Sequence, residues 1–445
     1  MHFSAKRICL AVLALCLFII PVRADLWVTG YYPGYEQSSL VASNLDYTTL
    51  THVIHFSLTP NTDGSLDITA NSLTTARVAD AVAKTHAAGK KILICVAGGS
   101  TFYGATTNAN LGKFVTNLVT FMSTNHYDGL DIDWEPLDST IVKPYTNFIV
   151  TLRAAMNAIT PRPLLCAAVA GEESMIAGIQ NQFDQINVMT YDIGGPYSGW
   201  VTWFNSPLFN GGYRFPSTGG LIPCADTMIS NYIAKGVAPG KLGLGVAFYG
   251  EIWQGGSGGT SGGGVSAPRQ TWTNAPTATG KGYNTIMSTY YQTNLYHWES
   301  NAQSAYLSIT NANPTNNMFI SYDNEPACQG KVSYARNHGL GGVMIWELGQ
   351  GYRSTQPKGQ RDPLMLAIRQ SLATPLITDS KIVSNKMQLS FATAPLGIYR
   401  VQWTTNLFLG PWNPLVTNTS PTGGVMQVTD PMPMGQMRFY RVRTP

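Results

Sequence analysis

Residues 128–135 carry acidic side chains at alternate positions. After its first residue the run has acids at Asp131, Asp133 and Glu135, separated by single apolar residues. Alternate residues of a β-strand share one face, so these carboxyl groups project together, with neighbours about 6–7 Å apart. Carboxylates that close cannot all ionise in a partly buried setting, so at least one keeps its proton near neutral pH. Such a proton suits general acid catalysis, and the sequence predicts Glu135, the outermost residue, as the acid.

A divalent metal site is the main alternative role for this acidic run. Carboxylates at alternate positions can ligate Mg²⁺ or Ca²⁺. However, no spacing of Cys or His along the chain resembles a metal site, so we expect neither a metal nor a cofactor. A purely structural role is disfavoured, because unpaired buried carboxylates are strongly destabilising.

Short apolar segments alternate with helical patterns along most of the chain. One helical pattern runs over residues 72–88 and ends at Gly89. The clearest pattern places apolar side chains on one helical face at Leu111, Phe114, Val115, Leu118 and Met122. The predicted strands are 26–32, 51–58, 91–97, 128–134, 164–170, 185–191, 241–248 and 341–346. Eight strands separated by helices predict an α/β fold, a closed (β/α)8 TIM barrel over residues 25–372, with its chemistry at the carboxyl ends of the strands.

One region inside the predicted barrel does not fit the repeat. Residues 251–318 are too long for a single loop, and they contain the Gly/Ser-rich run 255–264 followed by aromatic, strand-like sequence. We therefore predict a small α+β insertion after the seventh strand.

The pattern of the sequence changes from helical to strand-like after Leu372. Helical patterns disappear, and residues 399–403 and 439–442 alternate as β-strands do. The sequence predicts a linker at 373–378 and a β-sandwich-like accessory domain at 379–445. Such a domain can serve as a spacer, as a cell-surface module or as a carbohydrate-binding module.

The amino terminus has the order of a secretory signal peptide. Lys6 and Arg7 precede the apolar run 8–20, and small Ala24 follows, so residues 1–24 are predicted to be removed. A membrane anchor is the alternative, but the apolar run is short for a bilayer span. We expect a secreted protein, extracellular or periplasmic, with no membrane attachment once the signal is removed.

The mature chain is expected to be nearly neutral. Loss of residues 1–24 removes three basic residues and no acid, which lowers the formal charge from +4 to +1. Charged residues make up 12% of the chain, against roughly 25% in an average globular protein. The composition argues against a nucleic-acid partner, which requires a basic face, and suits an uncharged polymer. We expect a monomer.

The cysteines give little indication of disulfide bonds. Two of the six fall within the predicted signal peptide. Cys95 and Cys166 lie in apolar runs and are predicted to be buried thiols. Cys224 and Cys328 lie in loop-like sequence, and the sequence leaves open whether they pair after export.

The acidic run also resembles a family signature. The sequence is similar to the chitinase-type family 18 glycoside hydrolases over roughly residues 26–372. Their signature, Asp-x-x-Asp-x-Asp-x-Glu at the end of the fourth barrel strand, is matched by Asp128, Asp131, Asp133 and Glu135. Further segments that resemble family motifs in order are 185–192, 205–208, 245–250, 319–323 and 341–347. The resemblance implies that chitin or N-acetylglucosamine oligosaccharides are the ligands.

The resemblance also implies a substrate-assisted, retaining mechanism. Glu135 would protonate the glycosidic oxygen while the acetamide of the substrate attacks the anomeric carbon. Asp133 would hold the acetamide N–H, Asp131 would influence the proton near Asp133, and Tyr191 would bond the acetamide oxygen. The resemblance assigns substrate binding to Asp192, Trp346, Tyr31, Tyr249 and Met189, with Trp346 as an apolar floor. Three tryptophans are further candidates for outer sugar subsites: Trp200, Trp203 and Trp253.

Some positions depart from the family pattern. Val96 stands where the third strand usually has a serine whose hydroxyl supports the inner aspartate, and Pro136 follows the glutamate directly. The simplest alignment puts Ser57 where the second strand often has an inward aromatic residue. We therefore predict that the Ser57 hydroxyl supports Asp131, with a water molecule or Tyr31 as the alternative donor.

Two other functions remain compatible with the resemblance. An endo-β-N-acetylglucosaminidase acting on N-glycans shares the acidic motif, although Met189 and Tyr191 and the insertion favour a chitinase. A chitin-binding lectin on the same barrel is the alternative from another class, and the presence of Glu135 argues against it.

Overall fold

The computed structural model describes most of the chain. The described residues are 26–372, 377–393, 397–406, 410–420, 424–433 and 437–443. The predicted signal peptide and most of the predicted linker lie outside them. Within the described residues no helix is both long enough and apolar enough to cross a membrane.

Eight parallel strands close into a barrel. In chain order they are β1 (Trp27–Pro33), β2 (His52–Pro60), β3 (Lys91–Gly98), β4 (Gly129–Trp134), β5 (Leu164–Val169), β6 (Gln185–Val188), β7 (Leu242–Ala247) and β8 (Gly342–Trp346). Each strand pairs with its neighbours in sequence, and β1 also pairs with β8, which closes the ring. The predicted TIM barrel is confirmed, and every strand lies within three residues of its predicted bounds.

Helices return the chain between the strands. The longer ones are Thr75–Ala87, Leu111–Thr124, Val142–Asn157, Glu173–Ile179, Ala225–Ala234, Glu325–Asn337 and Pro363–Leu372. The first begins after Thr74, whose side chain accepts a hydrogen bond from the Arg77 backbone N–H. Shortly after its end, Gly89 adopts a φ of +69°, as predicted for a helix terminus. Helix Leu111–Thr124 buries the five apolar residues that the sequence places on one face.

The barrel strands separate two apolar layers. The outer layer lies between strands and helices and includes Leu130, Ile132 and Trp134 of β4. The inner layer fills the barrel and includes Ile54, Leu93, Cys95, Cys166 and Met344. The alternation of side chains along each strand assigns successive residues to the two layers.

The insertion after β7 is an antiparallel sheet. Its strands are, in spatial order, Thr277–Gly282, Tyr249–Gln254, Met318–Tyr322, Ser304–Ile309 and Tyr296–Glu299. Short helical turns occupy residues 283–290. The sheet extends beyond the predicted range 251–318 at both ends. In chain order its first strand, Tyr249–Gln254, follows β7 almost directly, and its last strand, Met318–Tyr322, leads into helix Glu325–Asn337.

Two further sheets follow the barrel in the chain, as predicted for an all-β region. One contains, in spatial order, strands Ile377–Val383, Lys386–Thr393 and Gly424–Pro433. The other contains Asn413–Ser420, Gly397–Thr404 and Phe439–Arg443. Their shared apolar core includes Leu389, Phe391, Tyr399, Val401 and Val428.

Candidate active site

The acidic run forms β4 and its exit at the carboxyl end of the barrel. Asp131 is fully buried and Asp133 is 6% exposed, whereas Glu135 follows the last strand residue and reaches solvent. Asp131 lies opposite Cys95 of β3 and Cys166 of β5. The three acids therefore form a line from the barrel interior to its open end, as predicted from their spacing.

The innermost carboxyl is held by a tyrosine. The Tyr31 hydroxyl donates a hydrogen bond to Asp131 Oδ2 at 2.8 Å, and the Cys95 thiol interacts with the same carboxyl group. Burial raises the pKa of Asp131 to about 6, although these two hydrogen bonds act in the opposite direction. Asp131 is therefore an acid that holds its proton more tightly than an exposed aspartate.

The prediction that Ser57 supports Asp131 is wrong. The Ser57 hydroxyl accepts a hydrogen bond from Asn71 Nδ2 at 2.8 Å, and the alternative donor, Tyr31, contacts Asp131 instead. The register of β2 against β3 shifts between His55 and Leu58. Phe56, rather than Ser57, consequently belongs to the barrel interior.

The departure at Val96 also has a structural explanation. Val96 belongs to the outer apolar layer, so its side chain does not face Asp131. Cys95 belongs to the interior, is fully buried and lies in register with Asp131. A thiol therefore stands at the interior position of β3 beside Asp131, a contact that the sequence alignment missed by one residue.

The two outer acids influence each other strongly. Burial, followed by the charges of Glu135 and Asp131, raises the pKa of Asp133 well above its usual range. Burial and the charge of Asp192 raise the pKa of Glu135, and its interaction with Asp133 acts in the opposite direction. These groups retain protons at a pH where isolated carboxyls are ionised, as general acid chemistry requires.

Gly99 allows the end of β3 to pass close to Glu135. The backbone N–H of Glu135 donates to the carbonyl of Gly98 at 2.9 Å. A Cβ at Gly99 would lie only 2.8 Å from the carbonyl oxygen of Glu135. Any larger residue at Gly99 would therefore displace the backbone that carries the outermost acid.

Aromatic and polar side chains from other strands of the barrel and from the insertion surround the acids. Tyr191 and Met189 follow β6, are almost fully buried, and belong to the interior cluster. The Tyr191 hydroxyl points to the sulfur of Met344 at 3.5 Å. The Tyr249 hydroxyl donates to Asp192 Oδ1 at 2.6 Å.

Trp346 forms another wall of this chamber. Its ring centroid lies 5.3 Å from that of Tyr31 and 4.8 Å from that of Phe56, in tilted and edge-on arrangements. Trp346 is only half-buried, so part of its ring remains available to a ligand. The structure thus brings together all nine residues that the sequence assigned to catalysis and binding, and it adds Phe56 and Cys95.

Comparison with known proteins places the chain in one family. The sequence profile described as "Glycosyl hydrolases family 18" matches residues 28–351. The chain belongs to glycosyl hydrolase family 18. This confirms the family predicted from the acidic motif and the five supporting segments.

Curated relatives of this family 18 protein are named as chitinases. It is 30% identical over 291 residues to "Chitinase A1" of Niallia circulans, and the matched region covers 58% of this chain and 40% of that protein. It is 27% identical over 303 residues to "Chitinase B" of Serratia marcescens, covering 56% and 59%. The chain thus spans about half the length of these relatives.

Solved structures share the fold of this family 18 protein. "Ostrinia furnacalis Group IV chitinase in complex with allosamidin" aligns with a TM-score of 0.65 and 21% identity, covering 78% of this chain and 99% of that one. Human YKL-39, described as "a pseudo-chitinase with retained chitooligosaccharide binding properties", aligns with a TM-score of 0.64 and 20% identity, covering 78% and 100%.

A buried ion pair, which the sequence analysis missed, supports the β6 and β7 ends. Lys331 and Asp323 are fully buried and paired, and Asp323 Oδ2 accepts from the Ala247 backbone N–H at 3.1 Å. Lys331 also donates to the Ser206 hydroxyl, which in turn donates to the Thr190 carbonyl, each at 2.5 Å. The motif segments 205–208 and 319–323 therefore act as supports for the residues that follow β6.

The three candidate tryptophans differ in location. Trp203 and Trp253 are fully buried in a separate apolar cluster, so they are not free to bind sugars. Trp200 is half-buried and, with Trp272 and Ser217, lines a surface cavity of about 290 Å³. Only Trp200 of the three is positioned to contact a ligand.

Asp128 does not join the other acids. It precedes β4 and pairs with Lys91 at 2.7 Å and His86 at 2.9 Å. Burial raises its pKa, but hydrogen bonds from Lys91, Ile92 and His86 outweigh that effect, so the pKa is below the usual value. This signature residue therefore anchors the start of the strand.

The described cysteines are all free thiols. Cys95 and Cys166 are buried, as predicted, and Cys224 and Cys328 are buried without forming a disulfide. Within the described ranges, no group of three or more His, Cys, Asp or Glu side chains is arranged to hold a metal ion.

Proposed function

We propose that this family 18 protein is a secreted chitinase that hydrolyses β-1,4 linkages between N-acetylglucosamine units. The observation that carries the proposal is the position of Glu135. It reaches solvent at the open end of the barrel beside the buried Asp133, and the pKa values of both carboxyl groups are raised. This arrangement provides a proton donor next to an acceptor in a chamber lined by aromatic rings.

In the proposed reaction, Glu135 donates its proton to the glycosidic oxygen as that bond breaks. The acetamide carbonyl oxygen of the substrate attacks the anomeric carbon from the opposite face and forms an oxazolinium ion. The Glu135 carboxylate then removes a proton from a water molecule as the water oxygen bonds to the anomeric carbon. The bond from that carbon to the acetamide oxygen breaks, which opens the oxazolinium ring, and Glu135 is protonated again. Two inversions at one carbon give overall retention of configuration.

The buried groups would stabilise the charge that develops on the acetamide. Asp133 accepts its N–H and offsets the positive charge, and Tyr191 donates to its oxygen. Asp131, held by Tyr31, supplies a second carboxyl that keeps a proton within the pair. Asp192, Tyr249 and Met189 complete the wall around the sugar.

The apolar floor would be Trp346. Its half-exposed ring, fixed by Tyr31 and Phe56, offers a flat surface for the C–H face of a sugar. The Trp200 cavity is a candidate for an outer sugar unit. The names of the curated relatives support chitin as the polymer.

A non-catalytic lectin is the second candidate function. The human neighbour described as a pseudo-chitinase retains oligosaccharide binding, so the fold alone does not require catalysis. The glutamate at the end of β4 favours the hydrolase in this chain. An endo-β-N-acetylglucosaminidase on N-glycans is a third candidate with the same acidic strand.

A digest distinguishes these functions. The protein is incubated with a chitin hexamer and, separately, with a high-mannose glycopeptide, and products are read by mass spectrometry. A chitinase yields shorter N-acetylglucosamine oligomers, an endoglycosidase releases the glycan, and a lectin leaves both intact. Cleavage of cellohexaose at a comparable rate, or an initial α-anomer from the β-linked hexamer, would contradict the acetamide mechanism.

We also propose that the protein is exported as a monomer after removal of residues 1–24. The order of charged, apolar and small residues at the amino terminus supports this proposal. Amino-terminal sequencing of the mature protein and light scattering of the purified chain test it.

A further inference from the structure

The accessory domain differs in charge from the barrel that precedes it. Residues 379–445 contain six basic residues and two acids, a formal charge of +4, which leaves −3 for the rest of the predicted mature chain. Both acids have basic partners within the domain: Asp430 pairs with Arg438 at 2.6 Å, and Asp379 lies 3.9 Å from Lys381. The other four cations of the domain therefore have no further acid of that domain to neutralise them.

Three of those cations share the outer face of one sheet. In the sheet that contains strand Phe439–Arg443, Arg400 lies directly opposite Arg443, and Gln402 lies opposite Arg441. The residues that alternate with them in the two strands pack into or against the apolar core of the domain, so these four side chains project outward. Arg400 and Arg443 are exposed. The outer face of this sheet is therefore cationic.

The three arginines are close together without a counter-ion. Adjacent strands lie about 4.8 Å apart and alternate residues of a strand about 6–7 Å apart, and like charges that face each other across two strands are destabilising. Desolvation, followed by the charge of Arg443, lowers the pKa of Arg441. Among the described residues, no ion pair includes Arg400, Arg441 or Arg443. An anion bound to this face would relieve the repulsion.

The guanidinium group of Arg441 is fixed by its neighbours. It lies over the Trp412 ring, 4.1 Å from the ring centroid, and its Nε donates to Gln402 Oε1 at 2.9 Å. The stacking holds the guanidinium plane, and the hydrogen bond uses only one of its five donors. Its terminal nitrogens are thus oriented for a pair of parallel hydrogen bonds to one carboxylate.

We propose that the outer face with Arg400, Arg441 and Arg443 docks an acidic polysaccharide whose uronic acid carboxylates recur along the polymer. The guanidinium groups pair with successive carboxylates. The Gln402 amide and the exposed Thr417 hydroxyl, which lies opposite Arg400 on the third strand, bond the sugar hydroxyls.

The neutral groups among the arginines favour this partner. Amide and hydroxyl groups suit a charged sugar polymer, in which hydroxyls separate the carboxylates, better than a lipid surface. The docking surface lies in the accessory domain, so the inference does not depend on the proposed chitinase function.

Binding to alginate, a polymer of uronic acids, tests the docking surface. Alginate is titrated by calorimetry into the purified full chain. The double variant Arg400→Gln/Arg443→Gln should bind about tenfold more weakly, because it loses two exposed charge pairs. Arg441→Lys keeps the charge but loses the planar fork, so its affinity should decrease about threefold. The affinity of the unsubstituted protein should also decrease as salt rises, because salt screens exposed charges.

A matched control removes two charges elsewhere. Lys84 and Lys235 are exposed at helices of the barrel, and Lys84→Gln/Lys235→Gln changes the net charge by the same amount. This control should bind alginate as the unsubstituted protein does. Thermal unfolding checks that each variant is folded.

Three results would overturn the proposal. The first is an unchanged alginate affinity in Arg400→Gln/Arg443→Gln, and the second is an equal loss of affinity in the lysine control. The third is binding to phosphatidylserine vesicles or to double-stranded DNA that is as tight as binding to alginate at the same salt concentration. That result would assign the face to a membrane or to nucleic acid instead.

Discussion

The two layers on either side of the barrel strands have different compositions and different tasks. The outer layer is packed with large apolar side chains, as where Phe102 stacks on Trp134 with ring centroids 4.6 Å apart. The inner layer mixes apolar residues with Tyr31, Cys95 and Tyr191 around Asp131. The difference indicates that the outer layer supplies stability, while the interior accepts unfavourable buried acids in return for reactivity.

In strand β4, adjacent residues belong to different layers. Ile132 is fully buried in the outer layer, and its neighbours Asp131 and Asp133 face the interior. Substitutions at adjacent positions should therefore have opposite consequences for activity and stability. The following experiments use that contrast.

The largest effect is expected at the outermost acid. Glu135→Gln should keep the fold and oligosaccharide binding but lower turnover at least about a hundredfold, because it removes the proposed general acid. Steady-state hydrolysis of a chitin hexamer, with thermal unfolding as the control for folding, measures this. Near-normal turnover in a folded variant would rule out Glu135 as the acid.

The second effect concerns the stability cost of the innermost acid. The pKa of Asp131 in the folded protein, about 6, exceeds the usual value of about 3.9. The protonated Asp131 carboxyl thus contributes fully to the stability of the fold below about pH 4, and this contribution is lost as the pH rises through about 6. The side-chain amide of Asp131→Asn does not titrate. The difference between the unfolding free energy of this variant and that of the unsubstituted protein should therefore rise by about 2 kcal/mol between about pH 4 and about pH 7.

Urea unfolding at several pH values measures this difference. Asp80→Asn, on the exposed face of a helix, serves as the control and should show no such rise. A relative stability of Asp131→Asn that stays constant with pH would contradict the assignment of a raised pKa.

An outer-layer substitution should show the reverse pattern. Ile132→Val removes one buried methylene and should lower the unfolding free energy by about 1 kcal/mol. Turnover should stay within about twofold, because the side chain faces the helices. Urea unfolding and hexamer kinetics together measure this. A large loss of activity at unchanged stability would break the division between layers.

A smaller effect is expected at Cys95. Cys95→Ala removes a donor to Asp131, so the pKa of that carboxyl should rise and the acid limb of the pH–rate profile should move up by about half a unit. Cys95→Ser keeps a donor and should restore the original limb. Profiles that coincide for all three proteins would remove Cys95 from any positioning role.

No effect is expected from chelation. Activity in EDTA should match activity without it, because the acids are proposed to transfer protons. Loss of activity that a divalent ion restores would instead favour the metal-site alternative for the acidic run.

The sequence by itself determined the features that follow from local geometry. Side chains alternate along any strand, so the common face of Asp131, Asp133 and Glu135 could be predicted without a neighbour. The recurrence of apolar segments predicted the barrel, since eight such strands bury their faces by closing on themselves.

Only the tertiary structure decided the features that depend on pairing between strands. A register shift in β2 placed Phe56 rather than Ser57 in the interior, and the pairing of β3 brought Cys95 to Asp131. The burial of Trp253 and the hydrogen bond from Tyr249 to Asp192 likewise arise where the insertion packs against the segment after β6. Register and packing are set by residues far apart in sequence, so a shift of one residue exchanges the two faces of a strand while its sequence stays the same.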